Sequence, residues 1–556
     1  MTKRVTETGS ETLGSDRITP SYRPRQVEKP APCQAGCANC GDIRGWIGAV
    51  AQRRKTGITR EQAYARAWRL IAEVNPFPAT LGRICPHPCE SHCNRAELDE
   101  PLAINAMERF LGDHAIRSGL PLPRTDTEQS LESVGVVGAG PSGLSFAYQM
   151  ARRGYSVTVY DARDKAGGML RYGVPDYRLP QDILDAEILK ILELGVELEL
   201  KTKVGEDVSL DTLQERHAFL YLGIGAQKGR GLRIPGEDGP SVMSATEYLG
   251  RVNKGERISL GEKLVVVGGG NSAMDAARCA RRGGAEVTIL YRRSLQEMPA
   301  IKNEIEEAVE EGVEIRLLVA PLRIVRSDDG RLIAVDVQVM QLAEPDGSGR
   351  RRPVPVEGSC FSLETDAVIV AVSQVPELNG LEALDEDGGW LVADRSGPGK
   401  QRLWAGGDAV GLGIAGEAIV QGRHAAEQLH AQLRGDSSSS GTSQADPVGP
   451  ESLLFESKPG CAAVHPARLA GRERVTMGMA EVAATISEQR FLSEVERCFS
   501  CGSCYGCEQC FMYCTSGCFL RVEEAGPGNY FSLNLEACQE CGKCIEVCPC
   551  GFLEVT

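Results

Sequence analysis

Short runs of consecutive apolar residues, each ending in a glycine-rich turn and followed by helical periodicity, mark the middle of this chain. Residues 134–137 (VGVV) are the first such run. So short a run, bounded by a turn signal, predicts a strand buried on both faces. The turn reads Gly138-x-Gly140-Pro141-Ser142-Gly143, a helical stretch follows to about Arg153, and a second strand, Val157 to Tyr160, ends at Asp161. The same order recurs from Leu264, with Gly268-x-Gly270-Asn271-Ser272-Ala273 as the turn and a strand that runs into Tyr291. Two β-α-β units of this kind predict an α/β fold with two Rossmann-like dinucleotide-binding domains.

In each turn the glycines allow close approach to a pyrophosphate, whose charge faces a helix N-terminus. Asp161 lies 23 residues after Gly138, where a carboxylate can accept ribose hydroxyls. The same count from Gly268 reaches Tyr291, followed by Arg292 and Arg293. An absent carboxylate beside two guanidinium groups suits a ribose 2′-phosphate, hence NADP(H), with NAD(H) the alternative if the arginines only solvate a strand end. A flavin in the first unit and a nicotinamide in the second would meet for hydride transfer, which needs orientation and exclusion of water more than an acid–base residue. His217, His424 and His430 stand alone in the sequence and are expected to pack or face solvent.

At 556 residues the chain is too long for one core. A net charge of −15 argues against nucleic acid or an anionic membrane as the main partner. No 18-residue apolar run and no N-terminal apolar signal region is seen, so a cytoplasmic protein without a membrane span is expected.

The 21 cysteines are unevenly placed: six lie between Cys33 and Cys93, and twelve between Cys498 and Cys550. Clustered thiols in a long chain read as metal ligands rather than a disulfide framework. Cys504, Cys507, Cys510 and Cys514, then Cys538, Cys541, Cys544 and Cys548-Pro549, form two C-x2-C-x2-C-x3-C runs. This spacing wraps [4Fe–4S] clusters, the fourth cysteine of each run crossing to the other cluster. One set is therefore expected to be Cys504, Cys507, Cys510 and Cys548, and the other Cys538, Cys541, Cys544 and Cys514. Zinc also uses C-x2-C, but does not ask for three cysteines at three-residue steps twice over. Cys498, Cys501 and Cys518 exceed these eight ligands and read as alternative ligands or buried thiols, with Cys550 a bystander.

From about Pro32 to Leu433 the chain resembles the small (β) subunit of bacterial NADPH-dependent glutamate synthase and its relatives. The resemblance rests on VGVVGAGPSG, AGGMLRYGVPDYRLP (166–180), GIGAQKGRGLRIPGED (223–238), VVVGGGNSAMDAAR, YRRSLQEMPA (291–300) and LWAGGDAVGLGIAGEAIVQGRHAA (403–426). It implies a helical N-terminal Fe–S domain (1–130) and an FAD-binding domain in two parts (131–255 and 371–433). An NAD(P)H-binding domain (256–370) is inserted between them, so the two Rossmann-like domains are nested. It also implies Asp408 on the flavin ribityl chain after the turn at Gly407, Gly167 and Gly168 beside FAD, and residues 417–421, Ala418 among them, near its ring. The N-terminal thiols Cys33, Cys37, Cys85, Cys89 and Cys93 fall in matching segments, and Glu108, in INAME (104–108), matches an unusual carboxylate or amide ligand. Two cysteines expected just before Cys33 are absent while Cys40 is extra, so six thiols and one carboxylate fall one short of eight ligands. One cluster on Cys37, Cys85 and Cys89 is expected; Cys33 and Cys93 mark a second, incomplete set.

After a polar Ser/Gly/Pro run, 434–487 is expected to be a flexible linker and connecting segment, long enough to let an α+β bacterial-ferredoxin-like domain (488–556) dock in more than one place. The expected function is an NAD(P)H:acceptor oxidoreductase serving as an electron-input subunit. Hydride would pass from NADPH to FAD, then single electrons through the clusters to a ferredoxin or a larger redox enzyme in a hetero-oligomeric complex, in a direction that cluster potentials decide. The alternatives are a glutamate synthase small subunit and a non-catalytic electron-transfer adaptor.

Overall fold

A computed structural model describes residues 22–126, 130–345, 347, 349–385, 389–392, 403–435 and 446–555. The first apolar runs become a five-stranded parallel sheet in the order Leu403–Ala405, Phe219–Leu222, Ser133–Val137, Ser156–Tyr160, Glu197–Glu199. Helix Pro141–Ala151 covers it, and the 20-residue helix Ala415–Arg434 lies close on that helix. Their contact requires Gly422, where an added Cβ would stand 2.2 Å from the Ser142 carbonyl oxygen.

Between Leu222 and Leu403 the chain builds a second parallel sheet, ordered Glu314–Leu317, Glu286–Tyr291, Lys263–Val267, Ala367–Val370, Val242–Ser244. The inserted unit begins before residue 256, the expected boundary, because Val242–Ser244 pairs with Ala367–Val370 as its edge strand. A three-stranded antiparallel sheet, Val319–Arg326, Leu332–Pro345 and Arg351–Glu364, is appended to it. Where the chain enters and leaves, Lys228–Gly229 pairs with Gln374–Val375.

A buried ionic cluster ties this insert to its surroundings. Arg278, fully buried, binds Glu304, Glu307 and Glu311, while Arg178 from the first unit reaches Asp275 at 2.7 Å. Arg468 and Arg474, far along the chain, grip Glu307 and Glu310.

The N-terminal unit is helical, with Ile43–Ala51, Arg60–Ala72, Pro78–Ile84 and Ile104–Arg117 around Trp46, Ile47, Tyr64, Met107 and Phe110. Its core is completed from the other end of the sequence. Phe491 and Val495 of helix Glu488–Glu496 are fully buried in it, Phe491 stacking on Phe110 with centroids 4.2 Å apart. It joins the first nucleotide unit through Glu187, whose carboxylate accepts from the Ala79 and Thr80 amides at 2.6 and 3.0 Å and so caps helix Pro78–Ile84 across the interface.

The C-terminal lobe carries the hairpin Phe519–Gly526/Asn529–Leu533 and the strand Leu553–Val555, which pairs antiparallel with Pro24–Gln26. This differs from a lobe free to dock in several places. Val448 and Leu453 are buried, Val448 N bonds Pro30 O, and Tyr530 Oη donates to Gln52 Oε1 at 2.7 Å. The segment from 446 to 487 is a strap, bonded through Val464 N to Glu494 of the helix that completes the N-terminal core, through Val482 N to Tyr177 O of the first nucleotide unit, and through Arg468 and Arg474 to the insert. Of the expected linker, residues 436–445 lie outside the described residues. Among the described residues no helix is long and apolar enough to cross a membrane.

Candidate redox centre

Strand Ser133–Val137 delivers the chain into the turn at Gly138, φ +103°. Helix Pro141–Ala151 starts with proline in its first turn, and its N-cap, Gly140, supplies no side-chain cap. The first-turn amides are thus left for an anion. Asp161 closes the turn from the next strand end, its carboxylate accepting from Ala139 N at 2.6 Å and Arg163 N at 2.8 Å; burial pushes its pKa up against these bonds. One cleft gathers Gly138, Gly140, Pro141, Ser142, Asp161, Gly168, Gly407, Asp408 and Ala418. Gly143 and Gly167 do not line it. Gly143 packs the helix against the turn, where an added Cβ would meet Gly138 O at 2.0 Å, and Gly167 N bonds Ala139 O at 2.7 Å. Asp408, mostly buried with its pKa raised by that burial, accepts from Gly413 N at 3.2 Å. Gly223, Gly225 and Gln227 also line the cleft and were not singled out from the sequence, although they belong to its GIGAQKG segment.

These residues fit a dinucleotide. The uncapped helix N-terminus faces a space where a Cβ on Gly140 would meet only Gly168 Cα, at 3.9 Å, and the half-buried carboxylates of Asp161 and Asp408 lie along the same cleft.

The second turn opens a larger cavity of about 650 Å³, a size that suits a small-molecule cofactor. Gly268, Gly270, Asn271 and Ser272 line it, while Ala273 is fully buried behind them. Gly270 again leaves helix Asn271–Arg282 without a side-chain cap, and a Cβ there would meet nothing within 4 Å. Asn271 Oδ1 accepts from Ile301 N and fixes the far wall. The two expected arginines differ. Arg292 is exposed; Arg293 is buried, with Nε donating to Arg351 O at 2.8 Å. Arg350, which sequence reasoning missed, joins them at the cavity wall. Leu412 and Gly413, from the loop before helix Ala415–Arg434, line the same cavity, so it opens beside Asp408.

The thiols fall into groups; none is disulfide-bonded. Cys37, Cys85 and Cys89 lie with Glu108. Burial lifts the Glu108 carboxyl to about 7, although Asn75 Nδ2 donates to it at 2.8 Å. Burial and neighbouring acidic groups push Cys85 to about 12 and Cys89 higher. Cys40 is exposed. This group touches helix Ala415–Arg434: Arg423 Nη2 donates to Asn39 O at 3.2 Å, and a Cβ on Gly416 would stand 3.5 Å from Ala38 Cβ.

In the C-terminal lobe Cys504, Cys507, Cys510 and Cys548 line one small pocket. Cys514, Cys538, Cys541 and Cys544 form a second group with the buried Cys518, which burial and its neighbouring thiols push to about 11. Cys550 lies 3.9 Å from Cys548 and holds that thiol down to about 6. Among the described residues no three His, Cys, Asp or Glu side chains gather as the ligands of one metal ion would. Grouped thiol donors of this kind suit an iron–sulfur cluster. The His87 and Glu540 amides, two residues after Cys85 and Cys538, each donate to that thiol at 3.4 Å. Such bonds tune clusters.

Residues 132–428 match the pyridine nucleotide-disulphide oxidoreductase family, and residues 15–120 match dihydropyrimidine dehydrogenase domain II, 4Fe-4S cluster. The chain is 39% identical over 437 residues to the NADP(+)-dependent formate dehydrogenase subunit beta of Moorella thermoacetica, covering 73% of this chain and 60% of that one. It is 37% identical over 373 residues to the NADPH-Fe(3+) oxidoreductase subunit beta of Geobacter sulfurreducens, covering 65% and 54%. Identity to the glutamate synthase [NADPH] small chain of Azospirillum brasilense is 33% over 427 residues, covering 72% and 86%. The match thus spans little more than half the length of the first two relatives. With both nucleotide turns, the inserted sheet and the N-terminal thiol domain in place, the chain belongs to the iron–sulfur flavoprotein family of the pyridine nucleotide-disulphide oxidoreductases that includes the glutamate synthase small chain.

Proposed function

We propose that this chain is the electron-input subunit of an NAD(P)H:acceptor oxidoreductase. The observation that carries the reading is continuity. The cavity at Gly268 and Gly270 opens at Leu412 and Gly413, next to the cleft of Gly138, Asp161 and Asp408. That cleft shares helix Ala415–Arg434 with the Cys37 loop. Bound in these places, NADPH supplies hydride, FAD stores the electron pair and iron–sulfur clusters pass electrons singly. The protein's part is to orient and enclose. The two uncapped helices would hold pyrophosphates, Asp408 would hold a hydroxylated chain, and the apolar residues lining the cavity would limit water where hydride is transferred.

The thiols are suited to hold clusters only once deprotonated, and burial raises most of them, so cluster assembly releases protons. Relatives named as β subunits support a hetero-oligomeric complex with a larger redox partner. The C-terminal lobe favours this reading over a glutamate synthase small chain, which gives its eight run cysteines no task.

Anaerobic NADPH oxidation with a viologen acceptor tests the activity; an adaptor gives no turnover. For the nucleotide, Arg292→Ala with Arg350→Ala is expected to raise KM for NADPH about 10- to 100-fold while leaving that for NADH nearly unchanged, as for lost charge-assisted bonds. Equal effects on both would refute a 2′-phosphate site. Arg293 is left out because it anchors the Arg351 backbone.

A further inference from the structure

The N-terminal domain as read from sequence lacks ligands for its second cluster, and Cys498 and Cys501 exceed the needs of the ferredoxin-like lobe. The fold brings the deficit and the surplus together. Helix Glu488–Glu496, locked into the N-terminal core by Phe491, ends at Arg497, and Cys498 follows it. Arg497 bonds Asp99 at 2.9 Å and its own carbonyl accepts from Arg95, so the loop after Cys93 is fastened to the peptide before Cys498. On the other side, Arg44 Nη1 donates to Cys501 O at 2.8 Å and to Lys29 O, and Lys29 N donates to Gly502 O at 3.0 Å, fastening the flanks of Cys33 to Cys501. Asn94, next to Cys93, donates to Cys501 Sγ at 3.7 Å. Cys33, Cys93 and Cys498 edge one apolar core. Cys33 has Cys498, Cys93 and Cys501 as neighbouring thiols, and Cys501 has Cys498 and Cys93.

Backbone geometry is independent support. Ser500 has φ +56° and its amide donates to Cys498 Sγ at 3.4 Å. His87 after Cys85 (φ +44°) and Glu540 after Cys538 (φ +56°) do the same at the same distance. A left-handed non-glycine residue is uncommon and persists only where its surroundings impose it. Cys498 thus sits in the turn found at two thiols of the other cluster sets.

We propose that Cys33, Cys93, Cys498 and Cys501 hold a further [4Fe–4S] cluster whose ligands come equally from the two ends of the chain. The proposal rests on the cluster reading of the other thiol sets given above. It completes the count: Cys37, Cys85, Cys89 and Glu108 make one set of four, these cysteines another, and Cys40 is left over. Because Cys37 follows Cys33 by about one helical turn and Cys504 follows Cys501 by one short loop, the site bridges the N-terminal set to the ferredoxin-like pair. Arg44 and Arg497 lie beside its thiols and offset the negative charge of a thiolate-ligated cluster.

The test uses the full chain, purified anaerobically. The variant Cys498→Ser/Cys501→Ser is expected to lose about a quarter of the iron and acid-labile sulfide with FAD retained. Cys33→Ser should lose the same quarter, and combining the changes should lose no more, as members of one unit behave. The exposed Cys360→Ser should lose none. Unchanged iron in the Cys498/Cys501 variant, additive losses on combination, or loss of zinc in place of iron each overturn the proposal. If wild-type protein itself lacks iron and sulfide, the underlying cluster reading fails instead. Should the variants misfold, alkylation of the wild-type holoprotein decides. Cys498 and Cys501 must stay protected with Cys33 and Cys93 until the clusters are stripped, while Cys360 labels at once; labelling of Cys498 and Cys501 at the Cys360 rate overturns the assignment.

Discussion

Gly138→Ala is expected to yield a folded protein almost empty of FAD. At φ +103° the position is one an L-residue rarely adopts, and the new methyl carbon would stand 2.3 Å from Gly223 O and 2.7 Å from Gly223 C. Both are backbone atoms at the end of a buried strand, so no side chain can swing aside. The turn must open, which separates Ala139 N from Asp161 and Gly167 N from Ala139 O, the bonds that shape the cleft. Strain of this kind costs about 1–3 kcal/mol, before any loss of pyrophosphate contacts. Flavin released by heat and read by absorbance should fall at least about tenfold per chain at limiting FAD. Full flavin content would show that the cleft is not where the cofactor sits.

Arg278→Met is expected to produce the largest loss of stability. Its guanidinium is wholly buried among Glu304, Glu307 and Glu311, and Glu311 is also buried. A buried ion pair adds little over an apolar substitute, but removing one partner strands the other charges, at about 3–5 kcal/mol. Arg282 still reaches Glu311 at 2.8 Å, which sets the cost toward the lower figure. A thermal melt should show the insert unfolding about 10 °C or more earlier; a shift near zero would mean the cluster is dispensable. The effect has a pH sign. Burial pushes the Glu311 carboxyl up, but bonds from Arg282 and Arg278 more than reverse this and hold it below its ordinary value. Its contribution is therefore complete above the usual glutamate range and is lost as pH falls through the lowered value, so wild type and variant should converge in acid.

What the sequence disclosed was whatever short spacing encodes. A strand, a glycine turn and a helix are local, so the Gly138 and Gly268 turns stand where one cleft and one cavity open, with Gly143, Gly167 and Ala273 packed behind rather than lining them. The two cysteine runs are local as well. Arg350 was illegible because it reaches the cavity only after the antiparallel sheet of the insert folds back. Arg293 looked like a free cation because nothing nearby in sequence announces that its Nε is taken by Arg351 O. The tether reading missed Val448 and Leu453, which pack with Phe499 and Leu98, and Phe491, which packs with Phe110, partners outside any short sequence window. The pairing of Cys33 with Cys501 is hidden for the same reason.

The antiparallel ribbon between Pro24–Gln26 and Leu553–Val555 bears on biosynthesis. Helices Ile43–Ala51 and Ile104–Arg117 cannot finish their own core alone, because Phe491 and Val495 are translated long after them. Closing the apolar core beside Cys33, Cys37 and Cys93 therefore waits for synthesis of helix Glu488–Glu496, and a chain cut short before that helix would leave the core open to solvent.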